Sequence, residues 1–391
     1  MINVNHNELL IDEQVKAIKT SGIRQFFNRV STVEGAVQLT LGQPDFPTPD
    51  HVKKSAIKAI EEGATTYTPN QGIEPLRIAA ADFVKEKYGL SYNAKSEVIT
   101  TVGASQALDL AVRTLITTDD EVIIPAPVYP AYEPLITLKG GKPVFVDTRE
   151  TNFTLTANAL REAITSKTKA VILPYPSNPT GVMLEEAELQ EIVDVLREHP
   201  NVFVISDEIY SELVYEGFHR SIATIGEMRE RTFVINGVSK SHSMTGWRIG
   251  FLFGPESLIQ HALKVHQYNV SCPTSISQYA ALAALTNGKD DANAMKDAYV
   301  VRRNYVMERL DAMGISYTLP KGAFYLFPSI EKTGLTSFDF AVTLLEQEKL
   351  AVVPGTAFSD YGEGYVRLSY AYSMDNLKEA CDRLERFIQS L

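Results

Sequence analysis

Lys240 and Arg248 lie in GVSKSHSMTGWRIG, residues 237–250, a primary amine and a guanidinium eight positions apart among Ser239, Ser241, Ser243, Thr245 and Gly246. The run TFVIN before them, 232–236, reads as a short buried strand, and RIGFLFG after them opens a second apolar run. Parallel strands need a dozen or more connecting residues, so this second run is expected to be antiparallel. Its first residues, Arg248 included, then return to the rim that Lys240 leaves. An amine forms a Schiff base with an aldehyde, and a guanidinium forks onto phosphate oxygens. The pair therefore suits a ligand with an aldehyde at one end and a phosphate at the other.

Three further motifs end apolar runs in the same way. In TTVGASQALDLAVRTLI, 100–116, Gly103 and Ala104 permit a tight turn and Ser105 opens a helix whose apolar face is Leu108, Ala111, Val112 and Leu115. Free amides at a helix N-terminus can hold an anion, although an ordinary capped helix explains this motif better if it stands alone. YPSNPTG, 175–181, holds Asn178 in a turn stiffened by two prolines, and alone it is simply a turn. VFVIS, 202–206, ends in Asp207, Glu208, Ile209 and Tyr210. A carboxylate directly after a buried strand needs a cation or donors, so Asp207 is either a helix cap or the partner of a protonated ring nitrogen. Open α/β sheets bind ligands beyond the carboxyl ends of their strands. An anion site, an amide, an acid and an amine coincide there, as a phosphorylated heterocyclic aldehyde requires; a Schiff-base lysine and an acid at the pyridinium nitrogen are how proteins hold pyridoxal phosphate.

The elements that must position these residues alternate. Helical patterns fall at 50–62, 74–88, 104–116, 130–139, 156–165 and 185–198, and strands at 97–101, 121–125, 143–147, 169–173, 202–206, 232–236 and 248–253. This spacing predicts an α/β fold with a mainly parallel seven-stranded sheet covered by helices. Longer helices at 255–267, 274–286 and 291–313 follow. A second α+β pattern then runs through KGAFYLFP, a helix near 337–347, VVPG, GYVRLSY and a closing helix with Ser373 as N-cap and a stripe of Leu377, Ala380, Cys381, Leu384 and Ile388. The expected organisation is a large domain at 46–289, a small α+β domain at 290–391, and an N-terminal segment at 1–45 packing with the small domain. That segment carries a helical pattern (Leu9, Val15, Ile18) and SGIRQFFNRV. LGQPDFPTP, 41–49, reads as an irregular linker.

The 391 residues carry 37 basic and 48 acidic side chains, a net charge of −11 without a basic run, so neither nucleic acid nor an anionic membrane is an expected partner. Anionic ligands must be held by individually placed cations. Cys272 and Cys381 show no metal-binding spacing, which argues for a reducing compartment. The polar, acidic N-terminus does not read as a signal peptide, and no apolar stretch reaches membrane-spanning length, so the cytoplasm is the expected location.

The sequence resembles the class I/II pyridoxal-phosphate aminotransferases of fold type I across almost its whole length, through LGQPDF, YTPNQGIEPLR, NPTG, SDEIY, SKSHSMTGWRIG and GYVRLS. The resemblance implies transfer of an amino group from an L-amino acid to a 2-oxo acid. It implies Lys240 as Schiff-base lysine and proton shuttle, Asp207 on the pyridine nitrogen, and Asn178 with Tyr210 on the phenolate oxygen. Tyr129 would stack on the ring, and Gly103, Ala104, Ser105 and Arg248 would form the phosphate cup. Tyr67 would reach the cup of a neighbouring subunit, making a homodimer with shared sites. Arg367 would bind the substrate α-carboxylate beside the amide of Gly42, with Asn178 nearby; read alone, Arg367 alternates with Val366 and Leu368 and looks like an exposed surface arginine. The family often has serine where this chain has Gly237, and His242 has no derivable role beyond solvation or packing. Within the family the chain is most similar to bacterial aminotransferase A, the group proposed to act on N-acetyl-LL-diaminopimelate, and next to aromatic aminotransferases. By analogy SGIRQFF and 264–275 border the side-chain pocket.

Three rivals remain. A C–S β-lyase shares the cofactor and motifs. A serine hydrolase would use Ser239 or Ser241 with Lys240 and His242, but no nucleophile elbow is present. A regulator built on an inactive aminotransferase domain lacks room before residue 40 for a DNA-binding domain and is acidic.

Overall fold

The computed structural model describes residues 10–18, 26, 29–31 and 33–391. Leu9 and Ile23 lie outside them. Twelve strands fall among the described residues: β1 (Val37–Gln38), β2 (Val98–Thr101), β3 (Glu121–Ala126), β4 (Lys142–Asp147), β5 (Thr168–Leu173), β6 (Phe203–Asp207), β7 (Thr232–Gly237), β8 (Gly250–Phe253), β9 (Tyr325–Leu326), β10 (Leu350–Ala351), β11 (Val353–Pro354) and β12 (Val366–Ser369). The main sheet runs β2-β8-β7-β6-β5-β3-β4, with β8 antiparallel to both neighbours and every other pair parallel. The expected seven-stranded, mainly parallel sheet and its one reversed strand are both present.

Because successive side chains of a strand point to opposite faces, the central strands feed two cores at once. Val171 and Leu173 join Ile123 and Val204 on one face, against Leu189, Ile192 and Leu196 of the helix Glu186–Glu198. Ala170 and Ile172 join Ile124, Ile205 and Ile235 on the other, against Leu108, Ala111 and Val112 of the helix Gly103–Leu115. Asp207 has the parity of Ile205, which directs it to the face of that second helix.

The reversed strand fixes the rim. Gly250, at the start of β8, pairs with Thr101 at the end of β2 and with Gly237 at the end of β7. A Cβ on Gly250 would lie 2.5 Å from the Ala104 amide nitrogen and 2.5 Å from the Gly103 carbonyl carbon, so only glycine lets β8 pass beneath the turn into the helix Gly103–Leu115.

Beyond the main sheet, β11-β12-β9 form an antiparallel sheet and β1 pairs in parallel with β10. Phe26, Val30 and Leu39 share a core there with Tyr325, Leu368, Leu377 and Phe387. The closing helix, Met374–Ser390, begins as expected, with the Ser373 hydroxyl accepting from the Asn376 amide at 3.3 Å. Residues 41–49 contain neither helix nor strand. Among the described residues no helix is long and apolar enough to cross a membrane.

Several expectations shift. The helix after β2 opens at Gly103 rather than Ser105, with Val102 in the cap position and no side-chain cap. The run at 248–253 pairs only from Gly250, because Arg248 takes a left-handed conformation with φ 57° after the short 3₁₀ turn Thr245–Trp247. KGAFYLFP contributes the two-residue strand Tyr325–Leu326 and an isolated antiparallel bridge from Gly322 to Val214. No helix follows Asp207, so it caps none.

Replacement of Gly250 by Ala should cost about 1–3 kcal/mol, as an added methyl does in a close-packed interior. Denaturant unfolding of the cofactor-free protein checks this, and an unchanged midpoint would mean that β8 and the 103–104 turn are not held in contact.

Candidate active site

Asp207 ends β6 half-buried, with two donors, the Tyr132 hydroxyl at 2.8 Å and the Ile209 amide at 3.3 Å, and no cation in bonding contact among the described residues. Burial pushes its carboxyl up to about 6, and those two donors hold it from rising further. Lys240 follows β7 by one turn, and its Nζ donates to the Gly42 carbonyl at 2.6 Å while standing 5.7 Å from the Tyr210 ring centre and 5.9 Å from that of Phe324. Burial first, then the charges of Arg367 and Arg248, bring its ammonium down to about 8 against the opposing pull of Asp207.

Arg367 is buried, 2% exposed, because all four residues of β12 are covered on both faces. The alternation that made it look like a surface residue applies only to strands with one wet face. Its guanidinium donates to Asn178 Oδ1 at 2.9 Å and to the Thr40 carbonyl at 2.6 Å, and it lies 4.5 Å from the Tyr325 ring centre and 4.9 Å from that of Phe358. The Nε is buried and has no partner. Arg248, exposed above Gly103, donates to the Thr245 carbonyl at 3.0 Å. Among the described residues, no carboxylate forms an ion pair with Arg248 or Arg367.

Tyr129 lies edge-on to Tyr132 at 5.7 Å, and its phenol responds to Asp207, Arg248 and Ser105 together, with burial the largest cause of its rise. The Tyr210 hydroxyl is bonded to that of Tyr325 at 2.8 Å. The rim therefore brings together Gly42, Gly103, Ala104, Ser105, Tyr129, Asn178, Asp207, Tyr210, Lys240, Arg248 and Arg367. Gly42 enters through its carbonyl, toward Lys240, and Thr40 supplies the carbonyl that holds Arg367. Tyr67 is 89% exposed on the surface of the single chain. A Cβ on Gly237, where the family often has serine, would lie 3.0 Å from Gly250 Cα, so β8 would have to give by a few tenths of an ångström to admit it.

His242 has a packing role. Its Nε2 donates to the Gly288 carbonyl at 2.9 Å, which leaves Nδ1 to accept from the Ser241 hydroxyl at 2.7 Å, and burial lowers its proton affinity. Ser239, Ser241 and His242 are all buried, so the Ser–His contact presents no nucleophile to a substrate. Sequence reasoning passed over Tyr132, Thr40, Tyr325 and Phe358. Tyr132 and Tyr325 sit in aromatic runs, VYPAY and FYLF, where core packing is the ordinary explanation, and only the fold shows where their hydroxyls end.

These residues fit pyridoxal phosphate. The first turn at Gly103–Ser105 has no side-chain cap and its amides have no partner within the helix, beside a guanidinium that no described carboxylate pairs, which suits a phosphate. An amine with lowered proton affinity and an enclosed acid suit the aldehyde and ring nitrogen.

Fold and rim together define an aminotransferase. The family described as "Aminotransferase class I and II" matches residues 34–384, and the chain belongs to it; its members use pyridoxal phosphate with amino-acid and 2-oxo-acid substrates. The chain is 57% identical over 381 residues to the "Probable N-acetyl-LL-diaminopimelate aminotransferase" of Bacillus subtilis (strain 168), covering 97% of this chain and 96% of that one. It is 41% identical to "Aromatic-amino-acid aminotransferase 2" of Thermococcus litoralis, covering 97% and 99%. Among solved structures, the aspartate aminotransferase from Thermus thermophilus with maleate superposes with a TM-score of 0.92 at 36% identity, covering 96% and 99%.

Asp207 gives a pH signature. Between about 4 and about 6 the folded protein keeps a proton that the unfolded chain has released, so this residue lowers stability as pH rises through that window. In cofactor-free protein, Asp207→Asn should gain stability over the parent at pH 7 but not at pH 4, by up to about 2 kcal/mol. Paired thermal melts check this; an equal difference at both pH values would show a carboxyl unperturbed by the fold.

Proposed function

We propose that this aminotransferase uses Lys240 as its Schiff-base and proton-transferring amine and that its amino donor is N-acetyl-LL-diaminopimelate. An aromatic amino acid is the second candidate. The observation that carries the amino-acid reading is the buried Arg367 Nε with no partner, in a guanidinium whose other nitrogens are already pinned. A buried donor left unmade costs about 1–3 kcal/mol, and a carboxylate accepting a parallel pair of bonds removes that cost. The choice of donor is supported by the 57% identity to the Bacillus subtilis relative bearing that name, and the second candidate by the Thermococcus litoralis relative.

Bound pyridoxal phosphate would supply an electron sink for the electrons left when the α-proton departs. Asp207 would keep the ring nitrogen protonated, Asn178 and Tyr210 would donate to the phenolate oxygen, and Tyr129 would cover the ring face. Gly103, Ala104, Ser105 and Arg248 would hold the phosphate. Lys240 Nζ, titrating near 8, takes the α-proton and gives it back with little driving-force penalty in either direction. In the cofactor-free chain that nitrogen donates to the Gly42 carbonyl at 2.6 Å, a bond it would leave to form the Schiff base. Arg367 orients the α-carboxylate, so the α-carbon faces Lys240 rather than solvent. Tyr67, exposed in the single chain, would complete the phosphate cup of a second copy, giving a homodimer with shared sites. Residues 290–391 with 1–45 would form the small domain and 46–289 the large one. Two unpaired cysteines support a cytoplasmic setting.

A panel of amino donors against 2-oxoglutarate and pyruvate tests the substrate; N-acetyl-LL-diaminopimelate should give the highest kcat/KM, and an ordinary aromatic amino acid exceeding it tenfold would transfer the assignment. Lys240→Ala should fold and fail to turn over, and normal rates would remove Lys240 from the chemistry. Arg367→Lys should lose about tenfold to a thousandfold in kcat/KM for every amino acid, since an ammonium cannot reproduce the fork. A loss confined to one side-chain class would place Arg367 in the specificity pocket instead.

A further inference from the structure

Among the described residues, Tyr325 is the one that touches both the Arg367 guanidinium and the Tyr210 hydroxyl. It is 1% exposed and follows Phe324, whose ring centre lies 4.8 Å from its own and 5.5 Å from that of Tyr210. These aromatic neighbours leave its ring little freedom to swing. Its hydroxyl also defines the space for the 41–49 segment, because a Cβ on Gly42 would lie 2.7 Å from it. Tyr325 thus stands between the proposed carboxylate clamp, the proposed donor to the cofactor oxygen, and the carbonyl that holds Lys240.

The two contacts use different parts of the side chain. The guanidinium, 4.5 Å from the ring centre, is attracted by the ring quadrupole, and in a desolvated site that attraction is strong enough to fix which edge of the group faces outward. Asn178 and Thr40 pin two of its nitrogens, and the ring fixes the plane in which the unpartnered Nε lies. The hydroxyl acts through a proton count. A phenol has one proton to give and lone pairs to fill. If Tyr210 gives its proton forward to a ligand oxygen, the 2.8 Å contact survives only with Tyr325 donating to the Tyr210 oxygen, and such a chain strengthens the forward bond.

We propose that Tyr325 is a positioning residue with two separable actions: its ring holds Arg367 flat for the substrate carboxylate, and its hydroxyl directs the Tyr210 proton toward the cofactor's ring oxygen. This rests on the functional reading above for Arg367 and Tyr210.

Two substitutions in the full-length holoenzyme separate the actions. Tyr325→Phe keeps the ring and removes the hydroxyl. A weaker forward bond leaves more negative charge on the ring oxygen, which holds the neighbouring proton harder, so the midpoint of the pH titration of the cofactor's visible absorbance should move upward. The binding of maleate, read from its perturbation of the same absorbance, should stay within twofold of the parent. Tyr325→Leu removes the ring as well, and the dissociation constant for maleate should rise about tenfold, with KM for the amino donor rising alongside. Circular dichroism and a thermal melt verify that each variant is folded; if the leucine variant is not, Tyr325→Met gives the same ring deletion with a long apolar replacement. An unmoved absorbance midpoint in the phenylalanine variant overturns the hydroxyl action, and an unchanged maleate constant in the ring-deleted variant overturns the ring action. Arg367→Lys is the control for the underlying reading: if it leaves maleate binding intact, Arg367 is not the clamp, whereas a loss there with none on ring deletion defeats only the part assigned to Tyr325.

Discussion

An excess of positive charge that the protein does not neutralise governs the rim. Acidic residues outnumber basic ones by 48 to 37, yet Arg367 and Arg248 both lower the proton affinity of Lys240, and among the described residues Asp207 is the carboxylate that opposes them there. Burying a guanidinium is costly unless it is paired or hydrogen-bonded. Arg367 is supported by an amide oxygen, a carbonyl and two ring faces, none of which cancels its charge. An anionic ligand binding there would relieve repulsion that the empty fold must carry, and would stabilise the folded state by mass action.

The constraint that gathers these charges is topological. A wholly parallel sheet would carry Arg248 to the opposite end of its strand from Lys240. The single reversed strand, β8, returns to the same edge, and the glycines at 237 and 250 allow it to lie close enough to its neighbours and to the 103–104 turn to share one cup. Asp207 reaches the helix-bearing face by the same parity that buries Ile205. Arg367 arrives from a different sheet, and its bonds to Asn178 and to the Thr40 carbonyl join it to the rim, with the Tyr325 and Phe358 rings packed against its guanidinium.

Much of this was legible in the sequence. The strand-ending motifs gave Asp207, Lys240 and Arg248, and the short connection between two apolar runs gave the antiparallel strand, because both depend on local pattern and connection length. What periodicity misjudged was Arg367: alternation exposes a residue only where one face of a sheet is wet, and β12 is covered on both. The resemblance to a family supplied the buried placement. Ser105 was put at a helix start two residues late because Gly103, with φ 74°, resembles a turn residue although it is the first residue of the helix. Tyr132, Thr40 and Tyr325 left no trace, since a tyrosine in an aromatic run or a carbonyl in a linker shows its partner only after the chain has folded.

The claim that Lys240 is the amine to which this rim is built is tested most directly by covalent trapping. The holoenzyme should be yellow, should bleach on reduction with borohydride, and should yield, after proteolysis and mass spectrometry, one pyridoxyl-modified peptide with the label on Lys240. A label on any other lysine, or bleaching without a covalent adduct, would contradict the account.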